Sequence, residues 1–285
     1  MEIVFHLGAH ATDNGLLLRS LLRNREVLAA QGIGVPGPSR YRETIGQVST
    51  ELRGAAADAE TEDLLIDAIQ DDDTALRIIL SNENFLCRDV VALDENGLYP
   101  RIGKAAWLAS CFPSHQVEFA IALRNPATFV PEMARRGDLA AEDAPRHGAM
   151  WSEAILRLLD ACPGARLLAW CDEDAPFLWP EIMREIAGID ATIPLKGAFD
   201  MVNRIMTPDG RARMRDFTDN RPDLTEAQRR RAVAAFLEAH AEEEAITQEI
   251  DMAGWTDETV TWLTQDYEED VERIASMPGI TFLEP

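Results

Sequence analysis

The chain has 285 residues, 46% hydrophobic and 27% charged, enough to bury a sizeable core as one large or two modest domains. Its net charge of −23 argues against a nucleic-acid partner, whose phosphates must be neutralised by Lys and Arg, and only two of the 27 basic residues are lysines, Lys104 and Lys196. No apolar run approaches the roughly 18 residues that span a bilayer, and the N-terminus lacks the basic and apolar regions of a signal peptide, so no membrane partner and a cytoplasmic location are expected.

Ile3 to Leu7 is short, apolar and partly β-branched, which predicts a strand buried on both faces, as in a parallel sheet. A loop from Gly8 to Gly15 follows, and then Leu17, Leu18, Leu21, Leu22 and Leu28 recur at helical spacing until Gly32. Pro36, Gly37 and Pro38 mark a turn, and Glu43 to Ala57 is weakly helical. Thr61 is expected to cap a helix with the stripe Leu64, Leu65, Ala68 and Ile69, ended by Asp71-Asp-Asp73. Ala75 to Leu80 is the second strand, Tyr99 to Phe112 a helix, Gln116 to Leu123 the third strand, and Gly137 to Gly148 a polar loop near the mouth of the crevice. Met150 to Ala161 is an amphipathic helix, Ala165 to Trp170 the fourth strand, and Pro176 to Ala187 a helix.

No strand is expected after Pro194. Thr207 should cap a helix over Pro208 to Asp216, Thr225 and Gln228 form a capping box that opens a helix towards Ile250, and Thr256 to Met277 is a final helix. The division is an α/β core over 1–195 and a helical C-terminal region over 196–285 packed on it. Cys87, Cys111, Cys162 and Cys171 form no C-x-x-C pair and have no histidine at ligand spacing, so they are expected to be small reduced core residues, and no metal is expected. The turn Cys171-Asp172-Glu173-Asp174 is expected to be a solvated acidic turn, with Mg²⁺ a weaker alternative.

A strand, a glycine-containing loop and a helix together make a site outside the carboxyl end of the strand where an anion is favoured. The phosphate pattern G-x-x-x-x-G-K-[ST] is not met, because the sixth residue after Gly8 is Asn14 rather than lysine. His6-Leu-Gly8-Ala-His10-Ala-Thr12-Asp13-Asn14-Gly15 nevertheless resembles the 5′-phosphosulfate loop of bacterial P-loop sulfotransferases, of the form His-x-Gly-x-His-Lys-Thr-Gly-Thr-Thr, and the helix with Asn24-Arg25 and Gly32-Ile33 is similar too. Ala11 stands where that family has lysine, Asp13 where it has glycine, and Asn14 and Gly15 where it has threonines.

Further cues follow in chain order. Ser81-Asn82-Glu83 resembles a Ser-x-Glu segment whose acidic residue serves as general base in some members, which makes Glu83 a catalytic candidate; the alternative is that Glu83 caps the following segment. Arg124-Asn125-Pro126 resembles the 3′-phosphate segment, where an arginine and a serine eight residues later hold the phosphate; Arg124 matches, Glu132 replaces the serine, and Arg124 could instead pair with an acidic neighbour. His10 and His147 are alternative proton acceptors or simply solvated loop histidines. The acidic turn and Leu195-Lys196-Gly197 are similar to family elements as well.

The resemblance implies a P-loop NTPase-like α/β fold, a three-layer parallel sheet with helices on both faces and a helical C-terminal extension. It also implies 3′-phosphoadenosine 5′-phosphosulfate as sulfuryl donor, bound by Gly8, Ala11, Thr12, Asp13, Asn14, Gly15 and Arg124, and a small-molecule or glycan acceptor bearing a hydroxyl or amine. Losing one transition-state donor costs on the order of 3–4 kcal/mol of barrier. A carboxylate at about 4 Å from the phosphosulfate, at an effective dielectric near 20, adds roughly 4 kcal/mol of repulsion. Two readings follow: an active transferase with atypical loop chemistry, or a degenerate relative with a binding or regulatory role in which Asp13 occupies the phosphate position. A different P-loop enzyme, such as a kinase, fits least, because the lysine and hydroxyl are missing.

Overall fold

The computed structural model describes residues 1–70, 74–94, 97–137, 149–221, 223–247, 250 and 252–285. Six strands form one sheet: β1 (Glu2–Gly8), β2 (Ile33–Gly34), β3 (Arg77–Ser81), β4 (Gln116–Leu123), β5 (Arg166–Cys171) and β6 (Ile280–Leu283). Their spatial order is β2-β3-β1-β4-β5-β6, and every neighbouring pair is parallel. Phe5 sits in register between Leu80 of β3 and Phe119 of β4.

Because side chains alternate along a strand, β1 feeds two cores. Ile3, Phe5 and Leu7 enter one with Ile78, Leu80, Phe119 and Ile121, whereas Val4 enters the other with Ile79, Ala120 and Leu168. Each fully buried Phe or Leu of this kind contributes about 1.5–3 kcal/mol. On the Phe5 face lie α3 (Arg42–Leu52), α4 (Ala59–Ile69), α5 (Ala105–Ala109), α6 (Pro126–Gly137), α7 (Trp151–Ala161) and α12 (Asp257–Ala275), through residues such as Ile45, Leu65, Leu108, Phe129, Ile155 and Ile274. On the Val4 face lie α1 (Leu16–Leu22), α2 (Arg25–Ala29) and α8 (Ala175–Ala187), through Leu17, Leu28 and Ile182. The chain is thus an α/β protein with a parallel sheet flanked by helices on both faces. The pair α9 (Pro208–Asp219) and α10 (Glu226–His240), with the short α11 (Glu243–Ile246) after it, packs its own small core of Val202, Met206, Met214 and Val233 against Phe177 of α8.

Four local expectations are corrected. The last strand, β6, joins the sheet beside β5, so strands do not end at Pro194, and the chain after 195 contributes a strand as well as helices. The helix expected over Leu16 to Gln31 breaks into α1 and α2 at Asn24, whose buried amide leaves helical geometry to bond Lys196: its Nδ2 donates to the Lys196 carbonyl at 2.8 Å and its Oδ1 accepts the Lys196 N–H at 2.7 Å. Asp58, not Thr61, caps α4, accepting from the Thr61 N–H at 2.8 Å. The helices expected over Tyr99 to Phe112 and towards Ile250 are shorter, α5 being preceded by a 3-10 turn at Ile102–Lys104 and α10 stopping at His240. The caps at Thr207 and Thr225 stand as expected, and Thr256, expected only as the start of a helix, caps α12 as well, each side chain accepting from the backbone three residues on. Residues 71–73 and 138–148, with His147, lie outside the described residues. Among the described residues, no helix is long and apolar enough to cross a membrane.

Candidate functional site

β1 lies between β3 and β4, and the connections around it leave towards opposite faces: α1 and α2 cover the Val4 face and α5 the Phe5 face. This reversal opens a crevice outside the carboxyl end of β1, where open parallel sheets place their ligands. The loop from Gly8 to Gly15 forms its wall. Gly8 has φ +100 and a Cβ there would lie 3.3 Å from the Cβ of Glu83, so both backbone freedom and close approach require glycine. Ala11 at φ 56 and Asn14 at φ 49 are also left-handed, each costing about 1–2 kcal/mol.

What holds those residues is a set of bonds from outside the loop. Arg124 Nη1 donates to the Ala11 carbonyl at 2.5 Å while its Nε donates to Thr128 Oγ1 at 3.1 Å, and Arg204 Nη1 donates to the Asp13 carbonyl at 2.7 Å. Thr12 Oγ1 turns back to the Ala9 carbonyl at 2.7 Å, and Asn14 Nδ2 reaches the Thr12 carbonyl at 3.4 Å. The buried Asp13 carboxylate accepts the Leu17 N–H at 2.7 Å, taking an amide in the first turn of α1 that has no partner within the helix. Segment 196–204 runs along α1 and fixes it: Lys196 on Asn24, Asp200 on Ser20 at 2.5 Å and on Arg23, and Arg204 on the loop itself.

His10 is not a solvated loop residue. It is buried, its N–H donates to the Tyr99 hydroxyl at 2.8 Å, and its Nδ1 meets the same hydroxyl at 2.8 Å while Nε2 faces Asn84 Oδ1 at 3.4 Å. Burial, the largest influence, holds the imidazole below its ordinary value despite the hydrogen bond to Asn84 and the Glu83 charge. With Nε2–H donating to Asn84 Oδ1, the neutral ring accepts the Tyr99 hydroxyl proton at Nδ1, so the lone pair a base would need is occupied. His6, stacked 6.0 Å from Trp170 and bonded through Nδ1 to Ser81 Oγ at 2.9 Å, is likewise held low, chiefly by burial.

The acidic turn is solvated in part, with Glu173 exposed and Asp172 and Asp174 half-buried. Burial first, then the neighbouring Glu173, raises Asp172 to about 7; Asp13 adds to the rise while Arg124 and Arg204 oppose it. Glu173 accepts the Asn125 N–H at 2.8 Å and the Tyr267 hydroxyl at 3.0 Å, so it ties the entry of α6 to α12. Among the described residues, no group of three or more His, Cys, Asp or Glu is placed to hold a metal ion. The cysteines are free; Cys111, Cys162 and Cys171 are buried and Cys87 partly so.

The crevice, about 290 Å³, is lined by the loop residues Gly8, Asp13, Asn14 and Gly15, by Leu18, Arg19 and Leu22 of α1, by Pro38 and Arg42, and by His6, Ser81 and Glu83 from the strand ends. Arg42 is anchored by Nε and Nη2 on the Ser81 carbonyl at 3.1 and 2.9 Å. The structure therefore brings Gly8, Asp13, Asn14, Gly15 and Glu83 together around the crevice, while His10, Ala11, Thr12 and Arg124 are not among the residues that line it. Glu132, in the serine position, is engaged by Arg135 and Arg136 of its own helix rather than by Arg124. Sequence reasoning missed Arg19, Arg42 and Arg204; Arg19 at one turn beyond Gly15 was the one with a readable signal. Comparison with protein-family models, with curated proteins and with solved structures finds no match.

Proposed function

We propose that this chain is a P-loop NTPase-like, sulfotransferase-like protein whose donor loop is closed by its own side chains, so that it works by binding a small molecule and not by sulfuryl transfer. The observation that carries this reading is the Asp13 carboxylate on the Leu17 N–H at 2.7 Å, a negative charge seated where the resemblance puts the 5′-phosphosulfate. Three further features support it. The parallel order β2-β3-β1-β4-β5-β6 with the loop after the central β1 suits the fold. Ala11 offers no ammonium, and its carbonyl takes the guanidinium of Arg124, the arginine the resemblance assigns to the 3′-phosphate. Asp172 adds a second carboxyl beside Asp13 and Arg124. This set of groups does not fit 3′-phosphoadenosine 5′-phosphosulfate.

The second reading, transfer with Glu83 as general base, draws on Glu83 lining the same crevice as Arg19 and Arg42. Calorimetric titration with 3′-phosphoadenosine 5′-phosphate separates the two. The closed-loop reading expects no binding at millimolar nucleotide; micromolar binding that is lost in Arg124→Ala would establish the transferase reading instead.

A further inference from the structure

Resting on the reading of the crevice as a ligand site, we propose that it takes a small zwitterion, with an anionic group at one end and an ammonium at the other. Two guanidiniums stand on opposite walls. Arg19 projects from α1 beside Gly15, is exposed, and has no side-chain bond to any described residue. Arg42 projects from the start of α3, and its two donors on the Ser81 carbonyl fix the head in place while leaving Nη1 for a ligand. An arginine held by one acceptor and open on its other edge is prepared for bidentate binding of a carboxylate, sulfonate or phosphate.

The same crevice also carries negative charge: Glu83, packed against Gly8, and Asp13 in the loop line it together with the two arginines, the Arg42 head sitting on the Ser81 carbonyl two residues before Glu83. His6, which also lines it, is kept from charging chiefly by burial and adds no cation. A plain dianion would meet both carboxylates as well as the −23 charge of the whole chain. A molecule that carries an ammonium as well as an anionic group satisfies charges of both signs at once. Leu18, Leu22 and Pro38 also line the space and suit a short methylene body. A few placed polar and charged groups in a pocket fix a ligand's orientation as well as its affinity.

The test uses O-phosphoethanolamine as the zwitterion, with inorganic phosphate and ethanolamine as its two halves, titrated calorimetrically into the full chain. The zwitterion should bind at least about tenfold more tightly than either half. Arg19→Ala, at a side chain that bonds to no described residue, should weaken it by about tenfold or more, and Glu83→Gln should weaken the zwitterion while leaving inorganic phosphate unchanged or tighter. Inorganic phosphate binding as tightly as the zwitterion would overturn the proposal, as would an unchanged affinity in both variants or no binding of the zwitterion at millimolar concentration. Nucleotide binding fails the closed-loop reading without bearing on this comparison, so the two can fail separately.

Discussion

At the amino edge of the sheet, Arg77 is closed on every side: Nη1 reaches Glu2 at 2.5 Å, Nη2 reaches Glu118 at 2.9 Å, and Nε caps the last turn of α8 on the Ile186 carbonyl at 2.9 Å. Arg166 completes the set on Glu2 at 2.7 Å and on Glu118 at 3.2 Å, so two arginines meet two glutamates across four neighbouring strands. At the carboxyl edge the same residue types are kept apart. Arg124 and Arg204 donate to backbone carbonyls, Asp13 accepts from a backbone amide, and Glu83 forms no ion pair with any described residue. The protonation equilibria record the contrast. Burial raises Glu2, but bonds and charge from Arg77 and then Arg166 outweigh it and leave the carboxyl low, whereas at the other edge burial and Glu173 carry Asp172 to about 7. One edge uses charge to hold strands together; the other holds its charges on backbone and leaves side chains facing a crevice.

Breaking the closed edge should have the largest effect. Arg77→Ala leaves the buried Glu118 only the half-exposed Arg166 at 3.2 Å; removing one member of a buried pair costs about 3–5 kcal/mol, so a loss near the lower end is expected, readable as a lower midpoint in denaturant. The open edge is tested by pH. The carboxyl of Asp172 binds its proton more tightly in the folded chain than the ordinary value of 3.8, so the stability it contributes is full below about pH 4 and is lost as pH rises towards about 7. Asp172→Asn removes that loss: unfolding measured from pH 4 to 8 should show the variant gaining on the parent as pH rises, by at most a few kcal/mol because Asp172 keeps part of its surface in water. The wall between the two is probed by Tyr99→Phe, which strips the buried His10 N–H and Nδ1 of their common partner and should cost about 1–3 kcal/mol, with the crevice ligand still bound.

The parts of the fold legible in the sequence were those whose signal is local. β1 and β4 are runs of apolar residues buried on both faces, and the caps at Thr207 and Thr225 need only residues three apart. What could not be read depends on partners far away. Ile280–Leu283 is four residues long, only partly buried, and a strand only because Leu167 to Trp170 lies beside it. Asn24 breaks its helix because Lys196, 172 residues on, offers a carbonyl and an N–H to its amide.

The candidate site divides in the same way. Asp13 announces itself, since an aspartate two residues before the first helical glycine-flanked turn has an amide within reach. Arg124 follows the end of β4, where its position in the sequence puts it, but nothing local says that its guanidinium turns to the Ala11 carbonyl, and Arg42 gains a role only because the Ser81 carbonyl at the end of β3 lies within reach of its guanidinium.

The central claim is that Asp13 and Ala11 close the donor loop, and titrating 3′-phosphoadenosine 5′-phosphate into the parent and the Ala11→Lys/Asp13→Gly double variant tests it most directly. The closed loop predicts no binding by the parent at millimolar nucleotide and measurable binding by the variant. Micromolar binding by the parent, or a folded double variant that gains nothing, would contradict it.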